Sequence, residues 1–523
     1  MTNLFRIFRV PLAVLLAATL LSTFSGCNFL YSGTEFSEIM GATDPEDVNS
    51  DTVPETEQVF SLSYYTQEKL DPYTSSSRTN SELLRLCYSG LFTVDQEYNA
   101  LPIMAESYTV EGNTVTVTLR SDLRFSDGSG VTATDCEASY RRAAKKDSIW
   151  VDAFSYIRSY KAVDTNTFQI TFRSYSPTQL NLLNIPIVKS VAADLSGYPV
   201  GCGRYRFEGT EELKLVKADC NCIDGTYGVD QIALLGISDK EAMIYNFNYG
   251  RLQAIYADLS LGAAEYRSDN EMVTIPTNRF TFLVINKTRK ELANPNFAKG
   301  LTYLIDRTTL VSKSLNGFAT PVWYPLNPAW SFTKQANLNP DIFSAVSAGN
   351  AFNDARFVLD GDVREYYGVP VKLRILVNRE NASRVKAAQF IGDALRDAGF
   401  SVEVVQATWD EYQKALTNLD FDLYLGEVNL PNNMDLSALF STSVCNTGEP
   451  AGTYEALRIE AGTVLQGSGD VRTFVSNFQN ASPFIPLYYS LDALAVSMDV
   501  TGEFGGSVTE FYAGIENWIF KQK

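Results

Sequence analysis

The most regular pattern of hydrophobic and polar positions lies between residues 371 and 429. Residues 371–377 alternate apolar and polar side chains as a β-strand does, and apolar positions then recur at helical spacing over 381–398. Gly399 follows this predicted helix at the place of a C-cap. The pattern is repeated by a second strand, a second helix and a third strand, at 401–405, 409–416 and 421–425. The short connections predict a right-handed βαβ unit with parallel strands.

Polar and aromatic side chains follow each strand of this predicted unit. Ligands of open α/β sheets bind beyond the carboxyl ends of the strands, so these residues are candidate ligand contacts. The candidates are Arg379, Trp409, Glu427, Asn429 and Asp435. The joint after the third strand, which holds Glu427 and Asn429, is the favoured one. Solvated loop residues would show the same composition, and that interpretation stays open for each residue.

The amino-terminal half is rich in β-branched residues at alternate positions and predicts a separate lobe. The predicted elements are strands at 59–65 and 114–120 and helices at 81–88 and 131–142. Thr132 or Thr134 is placed to cap the last of these helices.

Several aromatic residues outside these elements are candidates for the wall of a cleft. They are Tyr65, Trp323, Tyr324 and Tyr488. Most aromatic side chains lie in protein cores, which is the alternative for each of them. Trp323 and Tyr324 are favoured because two prolines bound their loop and make it rigid.

The first 26 residues have the pattern of an export signal. Arg6 and Arg9 precede an apolar run over 10–21, which is too short for a membrane span of about 20 residues. Ser25-Gly26-Cys27 then resembles the cleavage site of bacterial lipoproteins, in which the cysteine is acylated. We therefore expect Cys27 to carry a lipid anchor. The acidic residues up to position 57, without Lys or Arg, predict a disordered linker.

Composition excludes several classes of function. The 523 residues contain no histidine, which rules out Ser-His-Asp and Cys-His nucleophiles and histidine-ligated zinc or nickel. The net charge of −18 disfavours nucleic acid as a partner. Beyond Cys27 the chain has six cysteines, whose disulfide state the sequence leaves open: Cys87, Cys136, Cys202, Cys220, Cys222 and Cys445.

A series of short motifs in fixed order runs through residues 60–490. They include Leu70-Asp71-Pro72, Tyr88-Ser89-Gly90-Leu91, Phe125-Ser126-Asp127-Gly128, Gly201-Cys202-Gly203-Arg204-Tyr205, Leu304-Ile305-Asp306-Arg307 and Pro483-Phe484-Ile485-Pro486-Leu487-Tyr488. The series resembles the extracytoplasmic solute-binding proteins of peptide-type ABC importers, the oligopeptide-, dipeptide- and nickel-binding family 5. The resemblance implies an α/β, two-lobed periplasmic-binding-protein-like fold of class C type, with an extra subdomain in the first lobe.

The same resemblance implies the domain limits and the function. The expected parts are a signal peptide (1–26), the acylated cysteine and linker (27–57), a first lobe (58–275 with 480–523, its subdomain at about 81–175) and a second lobe (276–479). In peptide-binding relatives an Asp after the third strand pairs with the peptide amino group, a role that Glu427 or Asp435 could take here. We expect a monomeric, lipid-anchored protein that passes a small solute, most simply a peptide, to an ABC permease, without cofactor or metal. A carbohydrate-active enzyme with paired carboxylates and a sensor without an importer are the alternatives.

Overall fold

A central mixed sheet joins segments that lie far apart in the sequence. The computed structural model describes residues 59–193, 197–210, 212–223, 225–257, 266, 269–338 and 342–521. The predicted signal peptide, Cys27 and the acidic linker lie outside the described residues. Among the described residues, no helix is long and apolar enough to span a membrane.

The strands are short except for two in the central sheet. In chain order they are β1 (Ser61–Tyr65), β2 (Phe92–Val94), β3 (Ala100–Pro102), β4 (Ala105–Glu111), β5 (Thr114–Leu119), β6 (Ile157–Ala162), β7 (Thr167–Phe172), β8 (Val188–Ala193), β9 (Pro199–Gly201), β10 (Tyr205–Glu208), β11 (Lys214–Lys217), β12 (Gln231–Ile237), β13 (Ala254–Ala257), β14 (Asn270–Ile285), β15 (Ala319–Pro321), β16 (Phe357–Asp360), β17 (Val363–Tyr366), β18 (Val369–Pro370), β19 (Lys372–Asn378), β20 (Ser401–Ala407), β21 (Leu423–Asn429), β22 (Ile485–Ser497), β23 (Val500–Thr501) and β24 (Ile519–Phe520).

The helices lie mostly in the second half of the chain. They are α1 (Arg78–Arg85), α2 (Ala133–Ala143), α3 (Lys240–Asn248), α4 (Pro295–Leu304), α5 (Arg307–Ser314), α6 (Ser331–Ala336), α7 (Ala345–Asp354), α8 (Ala382–Asp397), α9 (Trp409–Asn418), α10 (Glu455–Leu465) and α11 (Val471–Ala481).

The predicted strand–helix–strand unit is confirmed. Strand β19 pairs in parallel with both β20 and β21. Helix α8 is capped at its start by Asn381, whose side chain accepts a hydrogen bond from the amide of Arg384. It ends before Gly399, which has φ of +94° as a left-handed C-terminal residue requires. Thr408 and Glu411 form a capping box that starts α9.

The predicted elements of the amino-terminal half are also present. Thr132 caps α2 through a capping box with Asp135. Helix α1 begins at Arg78, three residues earlier than predicted, because the hydroxyl of Ser77 accepts a hydrogen bond from the amide of Asn80. Residues 78–80, which precede the predicted helix, therefore belong to its first turn.

The long strands β14 and β22 form the spine of the seven-stranded central sheet. Its order is β13-β22-β14-β21-β19-β20, and β15 also pairs with β22. Further sheets are β1-β12-β11-β10 and β4-β5-β7-β6. The predicted lobe limits at 275/276 and 479/480 stay predictions. Position 275/276 lies inside β14, so the chain passes this limit in an extended, hydrogen-bonded strand rather than a loop.

Separate hydrophobic clusters lie along this spine. Ile275 and Leu494 pack in a cluster with Phe60 and Trp518. The rings of Phe60 and Trp518 meet edge to face at 6.4 Å. Phe280, farther along β14, belongs to a second cluster with residues of the predicted second lobe. The two strands thus carry side chains that pack into different cores, as expected of a two-lobed α/β fold.

Candidate functional site

One face of the central sheet presents polar side chains at neighbouring positions of three strands. Thr281 on β14 lies opposite Glu427 on β21 and opposite Tyr488 on β22. Two residues along, Arg279 lies opposite Asn429. Side chains two residues apart share a face of a sheet, so these groups form one polar surface. The hydroxyl of Thr281 lies 3.4 Å from Oε2 of Glu427.

Three adjoining cavities open over this surface. The first, of about 240 Å³, is lined in part by Tyr256, Arg279, Glu380, Asn381, Arg384, Glu427 and Tyr488. The second, of about 440 Å³, is lined in part by Ser76, Arg78, Arg85, Trp150, Asn278, Arg279, Asn429 and Asp492. The third, of about 270 Å³, includes Gln96, Thr277, Lys334 and Leu491. Because Arg279, Thr277 and Leu491 are each shared by two of them, the cavities form one cleft.

The cleft is lined from both predicted lobes. Arg78 and Trp150 come from the predicted first lobe, while Glu427 and Asn429 come from the predicted second lobe. Residues of β14 and β22 lie between them. A ligand in the cleft would therefore contact both lobes and the strands that join them.

Asp492 anchors two arginines at the centre of the cleft. Its carboxylate is 5% exposed and lies 2.6 Å from Nη2 of Arg279 and 3.3 Å from Nη2 of Arg78. The hydroxyl of Tyr256 donates a third hydrogen bond to it at 3.1 Å. Burial, together with the charge of Asp492, raises the pKa of Tyr256 to about 12, so this hydroxyl stays a donor at neutral pH. The carboxylate is thus held by three donors.

The two arginines keep their positive charge. Burial would lower the pKa of Arg78, but the carboxylates of Glu82 and Asp492 outweigh it and raise the pKa above its usual value. The pKa of Arg279 is raised in the same way, mainly by Asp492. About a third of each side chain is exposed. The Nε atoms of both are buried and have no hydrogen-bond partner among the described residues.

The first cavity combines charges of both signs. Arg384 lies in the first turn of α8, and its buried Nε has no hydrogen-bond partner in the part of the chain that the structure describes. Asn381, the N-cap of the same helix, also lines the cavity, so the positive end of the helix dipole lies at its wall. The carboxylates of Glu380 and Glu427 line the same cavity. The cavity therefore offers donors for an anion and acceptors for a cation.

The lobes also touch directly beside the cleft. The hydroxyl of Tyr156 donates a hydrogen bond to Oδ2 of Asp435 at 2.9 Å. The amide of Asn181 donates to the carbonyl of Asn432 at 3.0 Å. Both bonds join the predicted first lobe to the segment that follows β21.

Comparison with known proteins identifies the family. The profile of the bacterial extracellular solute-binding proteins, family 5 Middle, matches residues 99–449, which is more than half of the chain. The chain belongs to this family. The family 5 protein described here is therefore a solute-binding protein by family, and the expected resemblance is confirmed.

The curated relatives match a part of the chain. The glutathione-binding protein GsiB of Salmonella paratyphi A is 27% identical over 282 residues, which are 51% of this chain and 55% of the relative. The glutathione-binding protein GsiB of Escherichia coli is 25% identical over 307 residues, 55% of this chain and 59% of the relative. The match thus spans little more than half the length of these relatives.

Solved structures confirm the fold of this family 5 protein over most of its length. NikA from Brucella suis, in complex with Fe(III)-EDTA, superposes with a TM-score of 0.69 at 16% identity and covers 88% of this chain and 100% of its own. The oligopeptide-binding protein AppA from Bacillus subtilis, in complex with a nonapeptide, has a TM-score of 0.59 at 18% identity, with 89% and 99% covered. The predicted α/β two-lobed fold is confirmed.

The structure brings together a part of the predicted ligand contacts. Glu427 and Tyr488 line the first cavity, and Asn429 lines the second. Asp435 lies beside them but accepts the hydrogen bond of Tyr156. Ligand contact of all four stays a prediction.

Other predicted contacts lie at the margin. Arg379 is exposed, and its amide donates to the carbonyl of Ala407. Trp409 is half exposed and stacks on Tyr412 at 5.9 Å, while its amide donates to Glu380. Arg379 and Trp409 thus flank Glu380, which lines the first cavity, without lining a described cavity themselves.

The remaining aromatic candidates lie away from these cavities. Trp323 and Tyr324 are 5% and 7% exposed and belong to the second hydrophobic cluster. Trp323 covers the guanidinium of the fully buried Arg307 at 5.6 Å, which holds its ring in the core. Tyr65 packs against a smaller hydrophobic cluster that includes Ile237 and Phe247, and its backbone amide donates a hydrogen bond to the side chain of Asn80. The expected rigid aromatic wall is therefore not found at the cleft, because the proline-bounded loop folds inward.

Arg78, Arg279 and Asp492 are not among the ligand contacts that the sequence predicts. A signal for two of them exists, because a charge stands inside each apolar strand. Asp492 is the only charged residue of β22, and Arg279 is flanked in β14 by residues that become buried. A buried charge needs a partner of opposite charge, so Asp492 and Arg279 each indicate that an oppositely charged side chain lies nearby. Among the described residues, no group of His, Cys, Asp and Glu side chains is arranged to hold a metal ion.

Proposed function

We propose that this protein captures a short peptide or peptide-like solute that carries both an acidic and an amino group, and delivers it to an ABC importer. The observation that carries the proposal is the pairing of charges in the cleft. Arginines with unpartnered donors line it beside the carboxylate of Glu427. A carboxylate ligand would satisfy the arginine donors, and an ammonium group would pair with Glu427.

The position of the cleft supports capture by closure. A solute that contacts both lobes binds the closed state more tightly than the open state and so shifts the population toward it. Strands β14 and β22 would bend as the hinge, since both run from one hydrophobic cluster into another. This mechanism requires no covalent step and uses charged groups only for recognition.

The curated relatives favour the same class of solute. They are named for glutathione, an acidic tripeptide with a free amino group. The cleft has the charges that such a molecule needs, so glutathione and tri-alanine are suitable first probes.

The experiment is native mass spectrometry of the full chain. We expect a bound small molecule or a peptide series that leaves on denaturation, and calorimetric binding of glutathione or tri-alanine after its removal. If neither probe binds and the protein releases reducing sugar from a glycan mixture, the result would instead support the paired-carboxylate enzyme. If the protein binds a peptide but disruption of its gene leaves peptide uptake unchanged, the result would favour a sensor without an importer.

We infer further that Cys27 is acylated and holds the protein at the membrane, with residues 28–57 as a spacer. The support is the signal-like segment before it. A Cys27→Ser variant is expected to leave the membrane fraction and keep its affinity for the solute. Retention of the variant in membranes would contradict lipid anchoring and leave the binding proposal intact.

A further inference from the structure

Three cysteines lie together in the core of the predicted first lobe, away from the cleft. Cys202, Cys220 and Cys222 are 0%, 1% and 5% exposed. In the structure all three are free thiols. None of them lines a cavity of the cleft, so solute binding does not explain their proximity.

Strand register places two of these cysteines opposite each other. Strands β10 and β11 are antiparallel, with Tyr205 opposite Lys217. The pairing continues beyond the ladder, because the amide of Ala218 donates to the carbonyl of Arg204 at 2.9 Å. Extending this register by two residues, past the end of the ladder and the bend at Gly203 and Arg204, pairs position 202 with position 220. Opposed residues of antiparallel strands have Cα atoms about 4.5–5.5 Å apart, which is within the range that a disulfide spans.

The sulfur atoms confirm that both side chains turn toward each other's strand. Sγ of Cys202 lies 3.9 Å from the carbonyl oxygen of Cys220. Sγ of Cys220 lies 3.9 Å from the carbonyl oxygen of Gly201. Each thiol therefore lies next to the backbone of the opposite strand, that of Cys202 at Cys220 and that of Cys220 at the residue before Cys202.

Cys222 is the third member of the group. The thiol of Cys202 also contacts it, and this contact lowers the pKa of Cys222 while the same hydrogen bonds raise the pKa of Cys202. The hydroxyl of Ser89 donates to Sγ of Cys222 at 3.8 Å. Cys222 thus has a hydroxyl partner of its own, whereas the thiols of Cys202 and Cys220 are each directed at the opposite strand.

We propose that Cys202 and Cys220 form a disulfide in the exported protein, with Cys222 remaining a thiol beside it. The family is extracellular, and disulfides form and persist outside the cytoplasm. Because the sulfurs are buried, the bond forms during folding, before the cluster closes.

The chemistry is a thiol–disulfide exchange with a disulfide oxidant such as oxidised glutathione. The Cys202 thiolate attacks one sulfur of the oxidant, forming a mixed disulfide and releasing one thiol. The Cys220 thiolate then attacks Sγ of Cys202 and releases the second thiol. Two cysteine protons end on the two released thiols, and the oxidant gains the two electrons that the cysteines lose.

The bond would fix a segment that holds the end of the chain. Arg204, two residues from Cys202, pairs with Glu510 and Glu516 at 2.9 Å each. All three side chains are largely buried. A link between Cys202 and Cys220 therefore secures the turn that binds the C-terminal segment to the first lobe.

The test maps cysteines in the full chain after refolding in reduced and oxidised glutathione. Free thiols are blocked with N-ethylmaleimide, and the protein is cut with trypsin without reduction. We expect a cross-linked pair of peptides, 190–204 and 218–240, lighter by two hydrogens than their sum, with N-ethylmaleimide on Cys222. A second sample, exported by a bacterial host and never denatured, is mapped in the same way.

Variants assign the bond. Cys222→Ser and the control Cys445→Ser are expected to keep the cross-link, and Cys202→Ser to lose it and melt about 5 °C lower than the oxidised protein. Recovery of Cys202 and Cys220 fully labelled in folded protein from both preparations would overturn the proposal. A cross-link that disappears in Cys222→Ser would equally overturn it, since the bond would then join Cys202 to Cys222.

Discussion

Nη2 of Arg279 donates a hydrogen bond to Oδ1 of Asp492 at 2.6 Å, across the two strands that run through both lobes. Arg279 belongs to β14 and Asp492 to β22. The carboxylate of Asp492 also forms an ion pair with Arg78 and accepts a hydrogen bond from the hydroxyl of Tyr256, so protein donors occupy its oxygens. Both arginines line the cleft, and the Nε atom of each has no hydrogen-bond partner among the described residues. Under the proposed function, we expect Arg279 and Arg78 to bind an anionic group of the solute here.

Replacing Arg279 by Met is expected to weaken binding of an acidic solute by about 10- to 100-fold, the effect of one lost charge-assisted hydrogen-bond pair. Asp492 keeps Arg78 as a partner, so the protein still folds. Isothermal titration calorimetry with the solute found by native mass spectrometry measures the change. Arg251→Met, at an exposed position outside the cleft, is the control. Equal affinities of the Arg279→Met and wild-type proteins would remove Arg279 from the site.

Glu427→Gln tests the opposite charge. The carboxylate lines the first cavity and has a long hydrogen bond of 3.4 Å from Thr281, which a glutamine oxygen can also accept. We expect weaker binding of a solute with a free amino group and an unchanged melting temperature of the empty protein. The N-acetylated form of the same solute should bind both proteins alike. Glu403→Gln, exposed on β20 of the same sheet, is the matched control. If the variant and wild-type affinities agree for the free amine, the amino group binds elsewhere.

The parallel unit around β19 could be predicted from the sequence because its determinants are local. The apolar spacing of α8 and the left-handed Gly399 lie within the segment that they organise. The capping residues Asn381 and Thr408 also lie within this segment. Glu427 could be placed near the site for the same reason, since it ends a strand of this unit.

The centre of the cleft could not be predicted in this way. Arg78, Arg279 and Asp492 are separated by about 200 residues each, and they meet because β14 pairs with β22 on both sides of Arg279 and the first helix brings Arg78 beside Asp492. Such pairing is long-range, so the charge inside each strand indicates a buried partner but not which residue that partner is. Trp323 is the opposite case, in which a local signal is present but does not give the position of the side chain. Its proline-bounded loop indicates rigidity, but the loop's own sequence does not indicate that the ring is buried against the guanidinium of Arg307.

Tyr156→Phe tests the direct contact between the lobes. The variant removes the hydroxyl that donates to Asp435 at 2.9 Å and leaves the ring in place. One hydrogen bond contributes about 0.5–1.5 kcal/mol, so we expect solute affinity to fall about 2- to 10-fold through faster dissociation. Stopped-flow measurement of the dissociation rate gives the result. Tyr367→Phe, at a ring that is 74% exposed, serves as the control. An unaltered dissociation rate would mean that this bond is equally present in the open and closed states.

The pairing of Asp127 with Lys189 gives a prediction for acid stability. Burial would raise the pKa of Asp127, but the hydrogen bonds from Lys189 and Ser129 outweigh it and lower the pKa to about 2. The unfolded value is about 3.9, so the unfolded chain binds more protons than the folded chain between about pH 2 and pH 4. The stability that Asp127 contributes is therefore complete above about pH 4 and is lost as the pH falls toward 2.

The measurement is urea denaturation of the wild-type and Asp127→Asn proteins at several pH values. Asn keeps the Oδ1 acceptor for the amide and hydroxyl of Ser129, so the variant removes mainly the charge. We expect the variant to be less stable at pH 6 by about 1 kcal/mol or less, since a third of the carboxylate is exposed. The difference should vanish near pH 2 and shrink in high salt. A difference in unfolding free energy that is the same at pH 6 and pH 2 would show that the ion pair with Lys189 does not stabilise the fold.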